Sequence, residues 1–360
     1  RRTQSSEQRA AIRHNAAAVQ RAAGVPVIAV VKANGYGMGL EWMAATLHEC
    51  GIRAFAITEL SDIAPLQDAV GTDCDILILR STALAVEAAA IVGAGCIASV
   101  GSAAALGALS DAARAAGTVA RAHIKVDVGL GRYGFSPDDL AGLEACFAAD
   151  DVAIEGIYAH FPGASNLGDL EASRTQLARF VACCEALGAR GHEVGTRHMA
   201  NSPALFNLPE ARLDAVRAGS AFLGRVITAA DTGLERVGIL EAPVIDVKDF
   251  PADTPMGYGG AFRTKRATRA AIVPVGTQDG FGVQVKPLSD FHQVLAAGKR
   301  WMQKSSETVT IEGRPYPVLG VVDLSLSMVD VTDGEVAPGA VARIDINPLF
   351  LSARTPREYC

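Results

Sequence analysis

Up to about residue 225 the chain alternates two hydropathy textures. Short β-branched or apolar runs are each followed by a longer alanine-rich stretch with helical spacing. The runs are "VIAVVK" (27–32), "RAFAIT" (53–58), "DILILR" (75–80), "CIASV" (96–100), "AHIKVD" (122–127), "AIEGIYAH" (153–160), "TRHMA" (196–200) and "LDAVRAG" (213–219). Helical stretches such as 40–50, 101–116 and 170–190 lie between them. Strand–helix alternation of this kind predicts an α/β fold, a parallel (β/α)8 TIM-like barrel over 1–235. A doubly wound open sheet is the rival, but no GxGxxG follows the first strand. Beyond about residue 235 the runs "APVIDVKDF", "RAAIVPVG", "TVTIEG", "YPVLGVVDLSLSMVDVTD" and "AVARIDI" are strand-like and separated by Pro, Gly and Asp turns. They predict a second, mainly β domain over 236–360. The stretch 281–306 fits neither texture and reads as an excursion or loop.

Composition narrows the setting. The 360 residues are 49% hydrophobic and 20% charged, enough for sizeable cores. A net charge of −6, with no long Lys/Arg block, makes nucleic acid or an anionic membrane surface a poor partner. Seven scattered cysteines with no CxxC suit reduced thiols and a cytoplasmic location. "RRTQSSEQRAAIRHN" has no apolar segment behind its arginines, so no signal peptide is expected, and no run is long enough for a membrane span.

Chemistry in such a barrel gathers at the C-terminal ends of the strands. Those ends carry Lys32, Arg80, Arg132, His160, Asn201–Ser202 and the stretch Arg217–Ala218–Gly219–Ser220. A lysine ending a buried strand is either a point charge for an anion or a desolvated amine ready for Schiff-base formation. "RAGS" after the eighth strand offers backbone N–H groups where barrels commonly hold phosphate. Lysine at one end, a phosphate nest at the other and arginines between suit a phosphorylated aldehyde cofactor, pyridoxal phosphate (PLP).

The resemblance to the alanine racemase family then becomes specific. "AVVKANGYGMG" resembles the family's AVVKANAYGHG, "KVDVGLGRYGF" its KxDTGMGRxGF, and "HMANSPALF" its HxANSxA segment. "IYAHF", "VRAGSAFLGR", "GYGGAFRTKR" and "VPVGTQDGF" resemble further family blocks in the same order. The resemblance implies a PLP-dependent amino-acid racemase, an isomerase, acting as a homodimer with composite active sites. It implies that Lys32 holds PLP and acts as one of two bases. Tyr36 is to bind the phosphate, with Asn201, Ser202, Gly219 and Ser220 completing the cradle. Arg217 is to face the pyridine nitrogen, and Arg132 the ring hydroxyl and substrate carboxylate. Lys125 matches a position that some members carbamylate. Tyr258, from the other subunit, is to be the second base, with His160 near it. No metal enters this reading.

Departures cluster on the substrate side. Where the family has a CMDQ- or SMDM-like segment, this chain has Asp323, Leu324 and Ser325, and Thr277–Gln278 replace a tyrosine-alanine pair. Met38 replaces a histidine, Ala353 a tyrosine of some members, and "TQSSEQ" an apolar first strand. A carboxylate at 323 repels a substrate carboxylate and welcomes an amino or hydroxyl group. The expectation is therefore an amino acid other than alanine, larger or more polar, with alanine itself kept as the alternative substrate. A retro-aldol enzyme, a decarboxylase and a non-catalytic PLP carrier are the other readings that use the same lysine.

Overall fold

The computed structural model describes residues 2–3, 5–257, 260, 262–283 and 307–351. Two compact units result: Arg9–Val237, and Arg1–Gln8 with Gly238–Cys360.

In the first unit, eight parallel strands succeed one another: β2 (Val27–Val30), β3 (Ala54–Ile57), β4 (Asp75–Ile78), β5 (Ala98–Val100), β6 (Ala120–Lys125), β7 (Val152–Tyr158), β8 (Thr196–His198) and β9 (Val216–Ala218). They hydrogen-bond in the orders β4-β3-β2-β9 and β5-β6-β7-β8. Parallel bridges Leu77↔Ile97 and His198↔Ala215 join the two halves and close the barrel. Each of the eight apolar runs supplies one strand, so the expected (β/α)8 barrel is present. Helices follow the strands, several opened by side-chain caps. Ser102, Asp139, Asp169 and Asn201 each accept a backbone N–H from three residues on.

The strands read as unbroken apolar runs because both faces are buried. Outward positions Ala29, Val31, Phe55, Ile57, Ile76 and Ile78 pack into the layer shared with the helices. Inward positions Ile28, Val30, Ala56, Leu77, Ile97 and Ala215 fill one side of the barrel interior. The other side is polar: Ser99, His123, Lys125, His198 and Arg217 are all buried. No helix among the described residues is long and apolar enough to cross a membrane.

The second unit is mainly antiparallel β. Its larger sheet has the order β1 (Arg2–Thr3), β10 (Ile239–Pro243), β18 (Val341–Asp345), β15 (Thr308–Ile311), β16 (Arg314–Pro317). A three-stranded sheet pairs β11 (Asp246–Phe250), β14 (Thr268–Val273) and β17 (Ser327–Asp330). A short pair, β12 (Pro255–Met256) with β13 (Phe262–Arg263), completes the set. Leu240, Val244, Val273, Val329 and Ile344 are among the residues of its core. The run "YPVLGVVDLSLSMVDVTD" is not one strand. Gly320 turns the chain at φ 71°, and Asp323 N–H donates to Leu326 O at 3.1 Å, so a loop separates β16 from β17. Where an apolar first strand is missing from the sequence, a two-residue strand pairs Arg2 with Glu241 and Thr3 with Leu240, and the helix begins at Ser5. The excursion read over 281–306 lies outside the described residues from 284 onward.

Phe55 is fully buried between β3 and the helical layer. Phe55→Ala is expected to cost about 3–5 kcal/mol, read as a lowered urea midpoint. A loss below about 1 kcal/mol would contradict this packing.

Candidate active site

β2 ends at Val30, and Val31 N–H is still tied to Ala56 O at 2.9 Å. Lys32 follows, and the chain then makes a left-handed turn, with φ of 53° at Ala33, 55° at Asn34, 61° at Gly35 and 54° at Tyr36. Each non-glycine residue in this region costs roughly 1–2 kcal/mol, so the turn persists only because its surroundings impose it. Gly37 N–H donates to Ala33 O and Gly39 N–H to Asn34 O, both at 2.9 Å. The Asn34 side chain accepts from Leu40 N–H, also at 2.9 Å, and so caps the helix Leu40–Glu49. A Cβ on Gly35 would lie 3.0 Å from Met43 Cβ, so the turn is pressed against that helix. The strain thus falls largely on Ala33, Asn34 and Tyr36, not on glycines alone.

The turn delivers Lys32 and Tyr36 to one cavity of about 310 Å³ at the C-terminal ends of the barrel strands. Lys125, Arg132, His160, Asn201, Ser202, Arg217, Gly219 and Ser220 line the same cavity. Arg80 is not brought in; it pairs with Glu87 at 2.9 Å. Tyr258 and Ala353 lie outside the described residues. Thr277, Gln278, Asp323, Leu324 and Ser325 belong to the second unit. There, Thr277 N–H donates to Asp323 O at 2.9 Å and Gln278 N–H to Leu324 O at 3.0 Å. Asp323 and Leu324 line a separate cavity of about 300 Å³ with Phe262, Val322 and Met328.

Around Lys32 the charge is one-sided. Lys32, Lys125, Arg132 and Arg217 line the first cavity, and no carboxylate among the described residues does. Burial, then the nearby Arg132, lowers the Lys32 pKa. Burial and Arg217 bring Lys125 down to about 7, while its Nζ donates to Val126 O at 2.8 Å. Arg217 is 4% exposed. Its guanidinium donates to Ala159 O at 2.7 Å and His198 O at 2.9 Å, and reaches His198 Nδ1 at 2.7 Å. Burial and then Arg217 push His160 down to about 3, and the same causes hold His198 well below its usual value. Both imidazoles are therefore neutral at neutral pH.

Two close fits define the far wall. A Cβ on Gly219 would come within 2.6 Å of Tyr36 Cζ, so the phenol occupies the space a side chain would need. Ser202 Oγ accepts from Gly219 N–H at 3.0 Å and Ala221 N–H at 3.2 Å. The Gly219 amide, expected in a phosphate cradle, is thus spent on Ser202. Arg132 rides on a loop that Asp127 organises. The Asp127 carboxylate accepts from the N–H groups of Gly129, Leu130 and Gly131 at 2.8–3.2 Å. Burial alone would raise its pKa, but these donors outweigh it and the pKa is lowered.

Reading strand ends alone misses Tyr158, His198 and His123. Tyr158 stacks on His198 and lies under both Lys125 and Arg217. His198 Nε2 meets His123 Nδ1 at 2.8 Å. The signal was period two: His123 sits two residues before Lys125, and Tyr158 two before His160, hence on the same inward face.

A cavity lined by two lysines and two arginines without a carboxylate among the described residues, with a glycine-and-phenol wall, fits a phosphorylated cofactor and a carboxylate substrate. Comparison with known proteins agrees. The chain matches family models described as alanine racemase, N-terminal domain, over 8–227 and alanine racemase, C-terminal domain, over 237–346. Alanine racemase 2 of Caldanaerobacter subterraneus subsp. tengcongensis is 31% identical over 330 residues, 89% of this chain and 79% of that protein. Alanine racemase of Desulforamulus reducens is 34% identical, covering 81% of this chain and 79% of its own length. Among solved structures, alanine racemase from D-cycloserine-producing Streptomyces lavendulae superposes with a TM-score of 0.82 at 28% identity, over 98% of this chain and 95% of that one. The Bartonella henselae alanine racemase, solved with covalently bound pyridoxal phosphate, has the same fold, with a TM-score of 0.81 at 21% identity over 100% of this chain and 98% of that one.

Two variants probe the supports of this site. Asn34→Ala removes a helix cap and places alanine in the left-handed region, at an expected cost of about 1–3 kcal/mol. Asn34→Gly restores the backbone freedom and should lose less in urea unfolding; equal losses would overturn the strain account. Asp127 has a lowered folded pKa, so it stabilises above its unfolded value near 3.9 and loses that contribution as pH falls through the folded value. Asp127→Asn should therefore be less stable than the native chain at neutral pH, by about 1–3 kcal/mol, with a shallower decline in acid. An acid-unfolding profile identical to that of the native chain would refute this.

Proposed function

Because the chain belongs to the alanine racemase family and is a PLP-dependent amino-acid racemase, we propose that Lys32 and Tyr258 are the two bases that exchange the α-proton of a small amino acid. The observation that carries this reading is the cavity itself, with two lysines, two arginines and no carboxylate among its described lining. Such a site demands anions, and a cofactor phosphate and a substrate carboxylate supply them.

When bound, PLP withdraws electrons and acidifies the α-carbon of the amino acid attached to it. Everything else falls to this chain's side chains. Lys32, with its lowered pKa, has free amine available at a lower pH than an exposed lysine. It carries the cofactor and serves one face of the α-carbon. Tyr258, contributed by a second copy of the chain in a homodimer, serves the other. Tyr36, Asn201, Ser202 and Ser220 hold the phosphate. Gly219 leaves Tyr36 its place, since any side chain there would meet the phenol. Arg217 faces the pyridine nitrogen as a buried cation held by carbonyl oxygens. It keeps its proton and leaves the ring nitrogen without one, which restrains side reactions. His160, neutral beside Arg217, buttresses it at 3.4 Å. Arg132 reads the substrate carboxylate. Lys125, with a pKa of about 7, has much of its amine uncharged at neutral pH. It can add carbon dioxide through nitrogen, releasing a proton, and the resulting carbamate anion would hold Arg132.

A second reading concerns the substrate, and Asp323 favours it. The altered segments around 277 and 323 are joined by two backbone hydrogen bonds, which gathers their changes into one place. An acidic residue at 323, where the family carries none, suits a substrate with an extra amino or hydroxyl group, and so one other than alanine.

Proton exchange at Cα in D2O, with chiral analysis across a panel of L- and D-amino acids, tests both readings. Racemisation of at least one substrate is expected. Tyr258→Phe should stay yellow yet lose turnover by about 10²–10⁴-fold. Alanine as the best substrate by a wide margin would retire the second reading. Carbon dioxide, or glycine plus an aldehyde, as the main product would overturn the first.

A further inference from the structure

At the N-terminal end of the barrel, the end opposite Lys32, three potential metal-binding side chains meet. His48 stands in the last turn of the helix Leu40–Glu49, and Asp73 and Cys74 lie in the turn leading into β4. One ligand atom from each lies within 4.8 Å of the other two. His48 Nε2 is buried with no hydrogen-bond partner. A polar atom left so is costly, and a ligand that orders the ring can relieve it.

The surroundings hold both arms. Arg53 Nη1 donates to His48 O at 2.8 Å and Ile52 O at 2.9 Å, fixing the segment that leads into β3. Asp75 N–H donates to Arg53 O at 3.0 Å, which ties the Asp73–Cys74 turn to that segment. The turn opens at Gly71 with φ 80°. A Cβ there would lie 2.9 Å from Asp73 Oδ1. Asp73 itself is exposed.

We propose that His48, Asp73 and Cys74 form a binding site for a thiophilic divalent cation, zinc(II) or cobalt(II), at the N-terminal end of the barrel. The donor set is one imidazole, one carboxylate and one thiolate. Zinc takes these at about 2.0–2.3 Å with tetrahedral geometry, so the three atoms need close by at most roughly 1 Å to share an ion. Carboxylate and thiolate together neutralise its charge, the thiol releasing its proton to solvent as the metal binds. Water takes the fourth position. Sulfur and nitrogen donors exclude magnesium and calcium as preferred occupants. The ion would clamp the loops entering β3 and β4, so it acts on barrel stability and not on the chemistry at Lys32.

Cobalt(II) titration of the PLP-loaded enzyme provides the test. A thiolate-to-cobalt charge-transfer band is expected in the native chain at one equivalent, displaced by zinc(II), and absent from Cys74→Ser. Zinc(II) should raise the thermal midpoint of the native chain, but not of Cys74→Ser or His48→Gln. Unchanged racemisation by the two variants without added metal would show that they are folded. A band of equal strength in Cys74→Ser, or no thiolate band in the native chain, would overturn the proposal. So would an equal rise in midpoint across all three chains, the mark of adventitious surface binding.

Discussion

Arg217 is a guanidinium shut inside the barrel, and its hydrogen bonds run to carbonyl oxygens and an imidazole. Burying such a charge is expensive unless every donor is met. The carbonyls of Ala159, His198 and Met199 meet the cost, which requires β7, β8 and β9 to end where they do. Burial, and then the field of this cation, set the state of its neighbours. His160 and His198 cannot readily take a second charge beside it, and Lys125 gives up its proton near neutrality. A site built this way offers fixed positive charge at one point and free lone pairs at others. An enzyme that handles an anionic cofactor and a Cα proton uses both.

The barrel could not carry this charge if its interior were uniformly packed with aliphatic side chains. Ile28, Val30, Ala56 and Leu77 fill the side nearest β2–β4, whereas His123, Lys125, Tyr158 and His198 occupy the side nearest β6–β8. Tyr158 links the polar groups, sharing a hydrogen bond with Ser99 at 2.7 Å and donating to Leu79 O at 3.2 Å. Its ring also gives Lys125 and Arg217 an aromatic face. The apolar side gives the rigidity, and the polar side positions the groups that line the cavity.

Much of this was legible in the sequence, for physical reasons. Strands buried on both faces leave apolar runs too plain to miss, and all eight became strands. Lys32 stood out because an ammonium at the end of such a run needs a reason. What escaped depends on direction more than on residue type. His123 and Tyr158 sit inside their runs, where only the inward alternation marks them. The left-handed turn escaped because alanine and tyrosine do not favour that backbone; contacts around Gly35 and Leu40 impose it. The loop between β16 and β17 escaped because Val321, Val322 and Leu324 are as apolar as a strand, yet Val321 is 74% and Leu324 67% exposed.

The residues lining the Lys32 cavity and the segments around Thr277 and Asp323 differ in how they are held. Asn34, Ser202 and Arg217 make side-chain hydrogen bonds to the backbone around them, so changing any one disturbs the turn or strand that carries its neighbours. The segments around Thr277 and Asp323 are joined through backbone N–H and carbonyl groups. Their contact survives any side chain that respects the turn at Gly276, where a Cβ would strike the Asp323–Leu324 backbone. Side chains at 277, 278, 323 and 324 are free to vary over a fixed frame. The positions at which this sequence departs from the family's pattern therefore lie on a frame that does not depend on their side chains.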